Sequence, residues 1–189
     1  MHKFAYFPSY VYRWEQPEWI VELNIVEQDW DNPQSPARTH SKDFEKDARF
    51  FNFKKNLEQI AYSILEEDGY AVDLYNIKVT QIWGQKMQWP RYHHLHVHGN
   101  TLFSGFYILN TIGECPYPIF SDPRPGKLMG DLLAPLFEEV KPPTQSIHFN
   151  NIIPGSLFVF NSWMPHQFIN GVPEAEVSFL HFVITADKK

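Results

Sequence analysis

Residues 154–171 read PGSLFVFNSWMPHQFING. A Pro-Gly turn opens the stretch, and an apolar run of aromatic and β-branched residues follows it. A polar break, a second short run from His166 and an Asn-Gly turn complete it. Two short strands joined by a tight connection account for this pattern. Similar runs recur at 71–84 (AVDLYNIKVTQIWG), 101–110 (TLFSGFYILN), 146–153 (SIHFNNII) and 177–185 (VSFLHFVIT). Turn signals separate them: PYP, DPRPG, KPPT and NGVPE. Many short strands at such intervals predict a sandwich or barrel of mostly antiparallel strands.

Earlier in the chain the period changes. In FFNFKKNLEQIAYSILEEDGY, residues 50–70, apolar side chains fall at Leu57, Ile60, Ala61, Ile64 and Leu65, which is one helical face, and Gly69 is its stop signal. Residues 4–14 read as an aromatic strand broken by Pro8, and residues 28–42 as a long proline-punctuated loop. The expected fold class is mostly β (α+β), with an N-terminal helix flanking the strands. A single domain over 1–189 is expected, with the helix and N-terminal strands in 1–70 and a β-roll core in 71–189.

Composition narrows the function. The 189 residues are 43% hydrophobic, enough for a sizeable core, and carry a net charge of −6. An acidic chain without a basic run argues against a nucleic-acid binder or a membrane-surface protein. No stretch of 18 apolar residues occurs, and the first residues lack a signal-peptide core. The one cysteine, Cys115, excludes an internal disulfide. A cytoplasmic location is expected, and a homodimer through edge strands is open.

Four of the nine histidines stand within six residues: His93, His94, His96 and His98. Side chains two apart on a strand point the same way, so His96 and His98 can reach one metal ion. By the same alternation His94 shares their face one step further off, and His93 points away. A third ligand has to come from another strand, and His166 in the opening stretch is the best candidate. Imidazoles suit iron, zinc, copper and nickel. Three protein ligands leave positions open for chemistry. His181, in Ser-Phe-Leu-His-Phe, could face the interior of the roll. The acidic groups Glu66, Glu67 and Asp68 read as a solvated helix end.

Three motifs taken together carry a resemblance: HVHGNTLFSGFYIL, then FSDPRPGK, then PGSLFVFNSWMPHQFING. His96 and His98 followed by Ser104, Gly105, Tyr107 and Leu109 are similar to a His-x-His and Ser-Gly-x-Tyr-Tyr-Leu pattern. Phe120, Asp122, Pro123 and Arg124 match an aromatic-x-Asp-Pro-Arg pattern. Pro154, Gly155, Ser162, Trp163 and His166 match the last one. The chain thereby resembles the small bacterial and phage branch of the iron(II)/2-oxoglutarate-dependent oxygenases, within the prolyl-hydroxylase-like superfamily. The resemblance implies a double-stranded β-helix, or jelly roll, with iron(II) at its mouth. It implies a dioxygenase in which oxidation of 2-oxoglutarate to succinate and CO₂ accompanies hydroxylation of a peptide or small-molecule substrate.

The resemblance also implies roles: His96, His98 and His166 as metal ligands, and a cation pairing with the far carboxylate of 2-oxoglutarate. Two departures matter. The wider superfamily has Asp or Glu where His98 stands; if a carboxylate completes the site, Asp122 is the candidate. Relatives carry Arg-x-Ser-x-x-Phe beyond the last histidine, whereas this chain reads EVSFLHF, with Glu176 at the basic position and Ser178 matching. Arg124 is then the first choice of cation, ahead of Lys127, Lys86 and Arg91. Tyr107 and Ser178 are neutral donors to the co-substrate. Arg124 could equally pair with Asp122 in a turn, and Trp163 and Tyr107 could line a pocket or pack in the core. Two alternatives share the fold. A three-histidine cupin, a dioxygenase or isomerase, would use His166 with Asn170, although the cupin glutamate after His-x-His is missing. A jelly-roll binding protein without catalysis would be consistent with Glu176.

Overall fold

The computed structural model describes residues 9–30, 39–88, 92–124, 146–169 and 171–189. Among these, ten strands and two α-helices follow one another: β1 (Val11–Glu15), α1 (Glu18–Leu23), β2 (Thr39–Asp43), α2 (Phe51–Glu67), β3 (Tyr75–Gln88), β4 (His93–His96), β5 (Phe103–Ile112), β6 (Tyr117–Ser121), β7 (Ser146–His148), β8 (Ser156–Asn161), β9 (His166–Ile169) and β10 (Glu176–Lys188). They form a six-stranded sheet in the order β1-β8-β5-β10-β3-β2 and a four-stranded sheet in the order β4-β9-β6-β7. The strand pairs within both sheets are antiparallel.

Alternation along each strand of the large sheet splits the apolar side chains into two cores. Leu157, Val159, Phe103, Leu180, Phe182 and Ile184 pack against the helical layer with Trp19, Leu23, Phe53 and Leu57. Phe158, Phe160, Phe106, Ile108, Val177 and Phe179 pack inside the roll with Phe120 and Phe168 of the small sheet. Each fully buried phenylalanine contributes about 1.5–3 kcal/mol. Helix α2 buries Phe53, Leu57, Ala61, Ile64 and Leu65. It ends where expected. Gly69 adopts φ 84°, the Gly69 N–H donates to Glu66 O and the Tyr70 N–H to Leu65 O, which is a Schellman stop.

Three elements depart from the sequence expectation. The end of the predicted loop 28–42 enters strand β2, which pairs with β3. The Pro-Tyr-Pro turn runs directly into β6. Pro118 is tolerated there because its carbonyl accepts from Phe149 N–H (3.1 Å), so its ring nitrogen faces the side beyond the end of β7. Helix α1 is only six residues long, too short to show a period. The aromatic segment before Ser9 lies outside the described residues.

The motif Ser104-Gly105-x-Tyr107 is explained by packing. A Cβ on Gly105 would lie 2.1 Å from Phe182 Cζ and 2.3 Å from the Phe158 carbonyl oxygen. Ser104 Oγ and Ser162 Oγ share a buried hydrogen bond of 2.8 Å, tying β5 to the end of β8. Tyr107 is buried among the helices, and its hydroxyl donates to Gln16 O at 2.6 Å. Below the helices, Arg49 forks onto the buried carboxylate of Asp29 through two bonds of 2.9 Å, with Lys42 at 3.1 Å from it. The Arg49 guanidinium holds the Asp29 carboxyl well below the usual carboxylate range.

Two substitutions test this packing. Gly105→Ala puts its methyl against backbone that cannot yield, and should lower the unfolding free energy by about 3 kcal/mol in urea titrations. Asp29→Ala removes one of the two carboxylates on Arg49 and leaves it with Asp47; because Arg49 is partly solvated, a loss of about 1 kcal/mol is expected by the same measurement. A wild-type midpoint in either variant would contradict the account.

Candidate metal centre

Strands β4 and β9 pair so that His96 stands directly opposite His166. His98 lies just beyond β4, where its backbone N–H donates to Ser162 O (2.9 Å). The ring centroids are 4.3 Å apart for His96 and His166, 5.0 Å for His96 and His98, and 5.2 Å for His98 and His166. One ring nitrogen from each histidine falls within 4.8 Å of the other two. Nitrogens bound to one ion at 2.0–2.2 Å would lie at most about 4.4 Å apart, so small side-chain adjustments suffice.

Hydrogen bonds fix which nitrogens are available. His96 Nδ1–H donates to the His94 carbonyl (2.7 Å), and His166 Nδ1–H donates to the Met164 carbonyl (2.9 Å). Their Nε2 atoms are buried and have no hydrogen-bond partner among the described residues. A ligating histidine characteristically commits its other nitrogen in this way, so the donor set fits a divalent cation. Burial, with the neighbouring His96, pushes His98 down to about 4. Burial pushes His166 down to about 3 against the pull of the Met164 carbonyl, with His96 and His98 adding to the fall. Both rings are therefore neutral near pH 7, with lone pairs to offer.

Around His166 the wall is apolar. The rings of Phe160, Phe106 and Phe120 stand 4.7, 5.5 and 6.1 Å from its own. On the open side, a groove of about 530 Å³ is lined by Ser41, Asp43, Gln81, Trp83, Gln85, His93, His96 and His98. His93 thus belongs to the cluster, with its ring stacked 4.2 Å from that of His96. This corrects the alternation rule, which places His93 away and His94 alongside. The pairing of β4 with β9 is irregular between His93 and His96, and that irregularity rotates the side chains.

The other expected site residues lie elsewhere. Tyr107 packs against Trp19 and Phe53 on the helix-facing side of β5. Ser178 and Glu176 line a separate groove with Ile20, Trp30 and Lys86, on the helix-facing side of β10. The roll-facing residues of β10 are Val177, Phe179 and His181. Glu176 accepts from Gln88 Nε2 at 2.6 Å. The Arg124 backbone N–H and Nε both donate to Asp122 Oδ1 at 2.9 Å, so Arg124 adopts the turn pairing. Asp122 is engaged there and does not join the three-histidine group. Trp163 is 47% exposed, neither core nor groove lining. Lys127, Arg91 and Asn170 lie outside the described residues. The residues that sequence reasoning missed are the groove's Ser41, Asp43, Gln81 and Gln85. The sequence carries no signal for Ser41 and Asp43, because β2 is polar and has the composition of a loop; Gln81 and Gln85 lie on β3, where alternation does not say which face borders a groove.

No curated protein matches the chain. Among solved structures, a Pseudomonas putida prolyl-4-hydroxylase matches at 12% identity and a TM-score of 0.59, over 94% of this chain and 93% of its own. HygX from Streptomyces hygroscopicus, solved with nickel and 2-oxoglutarate, matches at 11% identity and a TM-score of 0.58, over 94% of this chain and 83% of its own. An oxidoreductase of the 2OG-Fe(II) oxygenase family from Burkholderia pseudomallei matches at 12% identity and a TM-score of 0.45, over 74% of this chain and 53% of its own. At such identities the likeness to the first two is one of fold, and that fold is the jelly roll. The family model of the 2OG-Fe(II) oxygenases matches residues 81–176, from β3 through all three clustered histidines to the start of β10. That match spans just over half of the sequence, and the chain belongs to the 2OG-Fe(II) oxygenase family, whose enzymes use iron(II) and 2-oxoglutarate.

Proposed function

We propose that this chain is an iron(II)- and 2-oxoglutarate-dependent hydroxylase whose metal is held by His96, His98 and His166, and whose substrate is a peptide or small molecule. The observation that carries the assignment is the pair of buried, unpartnered Nε2 atoms on His96 and His166 beside His98. Iron(II) held there would supply the redox chemistry that couples O₂ and 2-oxoglutarate to oxidation of a C–H bond. The protein's part is positional. Backbone carbonyls aim His96 and His166, the phenylalanine wall keeps water from the inner side, and the groove admits ligands from the outer side.

The groove also bounds what binds beside the metal. Its polar groups are the Ser41 hydroxyl, the Gln81 and Gln85 amides and the Asp43 carboxylate. No lysine or arginine is among the described residues lining it. Neutral donors beside the metal therefore take the place assigned from sequence to Tyr107, Arg124 and Ser178. The prolyl-4-hydroxylase among the structural neighbours motivates a prolyl peptide as the first substrate to test, and HygX motivates small polar molecules. No described helix is long and apolar enough to cross a membrane; a cytoplasmic enzyme is part of the proposal.

Purified chain reconstituted with iron(II) should bind one equivalent and form succinate from 2-oxoglutarate. His96→Ala should lose both, with metal content below about a tenth of wild type by elemental analysis. Stoichiometric metal with no 2-oxoglutarate binding by calorimetry would point instead to a cupin-type activity. Sub-stoichiometric metal indifferent to His96→Ala would leave a binding protein.

Acid should weaken the metal-free fold. In the unfolded chain the imidazoles take up protons near pH 6.5. Folded, His98 does so near 4 and His166 near 3. Between these values the unfolded state binds more protons, so stability is full above about pH 6.5 and falls as pH drops through the window. The Tm of EDTA-treated protein should be lower at pH 5 than at pH 7.5, and a flat profile would refute the neutral, buried state of the two rings.

A further inference from the structure

Two imidazoles at the centre, His93 and His181, are left without a role by the three-ligand reading, and the second touches a ligand through a ring nitrogen. His181 stands on the roll-facing side of β10, opposite Trp83 in one neighbouring strand and Phe106 in the other. It is fully buried. Its ring stacks on Trp83 with centroids 4.2 Å apart and an interplanar angle of 18°, and it meets Phe106 edge-on at 5.2 Å. These contacts fix the ring plane. Its Nε2 lies 3.2 Å from Nε2 of His98. Its Nδ1 has no hydrogen-bond partner among the described residues.

Two ring nitrogens at that distance share one proton, and the direction of sharing decides what His98 can do. Suppose His181 donates: His98 Nε2 is then the acceptor, its lone pair is occupied, and Nδ1 of the neutral ring carries the proton. Such a ring has no nitrogen left for a metal. Suppose instead that His98 donates its Nε2–H: the lone pair at Nδ1 is then free. His96 and His166 each follow this logic with a backbone carbonyl as acceptor. His98 needs an equivalent support more than they do. It lies past the end of β4, before Gly99 and an Asn100 in the left-handed region at φ 58°, so the strand ladder does not set its ring.

We propose that His181 is a positioning residue for the metal centre: it accepts a hydrogen bond from Nε2–H of His98 and so presents Nδ1 of His98, rather than Nε2, to the ion. The proposal rests on His96, His98 and His166 being the ligands. His181 itself falls outside the group whose donor atoms lie within 4.8 Å of one another, which places it behind His98 rather than among the ligands. The imidazole at 98, where the wider superfamily has a carboxylate, is thus in contact with the imidazole at 181. The first needs a ring-sized support, and the second provides it.

The test uses the intact chain with histidine-selective ¹⁵N labelling, loaded with Zn(II) as a diamagnetic probe. Long-range proton–nitrogen correlation spectra should show His98 protonated at Nε2 and metal-bound at Nδ1, with His96 and His166 in the opposite sense. Metal bound to Nε2 of His98 overturns the proposal. His181→Phe keeps the stacking but removes the acceptor. Its zinc dissociation constant should rise about 10–100-fold, and the His98 Nε2–H signal should move or vanish. His181→Gln, which offers an amide oxygen at similar reach, should recover most of the affinity. An unchanged dissociation constant in His181→Phe overturns the proposal, as does failure of His181→Gln to bind better than His181→Phe. Should His181→Phe not fold, the wild-type spectrum alone decides. Failure of the ligand assignment itself is distinct: the wild-type chain would then leave these three histidines unshifted by zinc.

Discussion

The antiparallel register that sets His96 against His166 is the constraint on which the centre depends. A one-residue slip of β4 past β9 would move every side chain on the strand to the other face. Four residues on each strand are too few to hold a register by ladder bonds alone. The anchoring comes from behind: β9 also pairs with β6, where Phe120 stands opposite His166, and Phe168 stacks on Phe179 of the large sheet at 4.6 Å. Core packing inside the roll therefore fixes the geometry of a polar site at its rim.

The same packing sorts β10 into two functions. Its even-numbered residues from Ser178 to Ile184 face the helices, and its odd-numbered ones face the roll. A motif aligned by sequence spacing places Glu176 and Ser178 on one face of β10 but does not say that this face turns to the helices. Sequence spacing alone thus makes Glu176 and Ser178 neighbours of a bound co-substrate, whereas in the fold they border Lys86 and Trp30. The apparent clash between Glu176 and an anionic co-substrate disappears with the correction.

Much of the architecture is legible in the sequence for a simple reason. The strands from β3 onward are rich in β-branched and aromatic residues between strong turn signals, and α2 carries an unbroken apolar stripe with a glycine stop. The His-x-His pair and the distant His166 are legible for the same reason, since alternation and a turn place them. Legibility fails where tertiary contact overrides local pattern. Strand β2 is polar, and only its pairing with β3 makes it a strand. His93 joins the cluster through an irregular pairing that no local rule announces. His181 sits in an apolar run, and nothing in that run distinguishes a core imidazole from one aimed at a metal ligand.

Charge supplies the last link between fold and chemistry. Three neutral imidazoles leave a divalent ion with its full charge, whereas a carboxylate ligand would remove one unit. Behind the centre stand Phe106, Phe120 and Phe160, which cannot solvate that charge. An ion facing an apolar wall is stable only if compensation comes from elsewhere. The open side toward the groove is where an added ligand can supply it. An anionic, chelating 2-oxoacid entering there would neutralise the ion that the protein leaves uncompensated. An all-histidine donor set would thus shift part of the co-substrate's binding free energy from a remote cation to the metal itself, since the groove beside it is lined by amides, a hydroxyl and the Asp43 carboxylate, with no cation among its described residues.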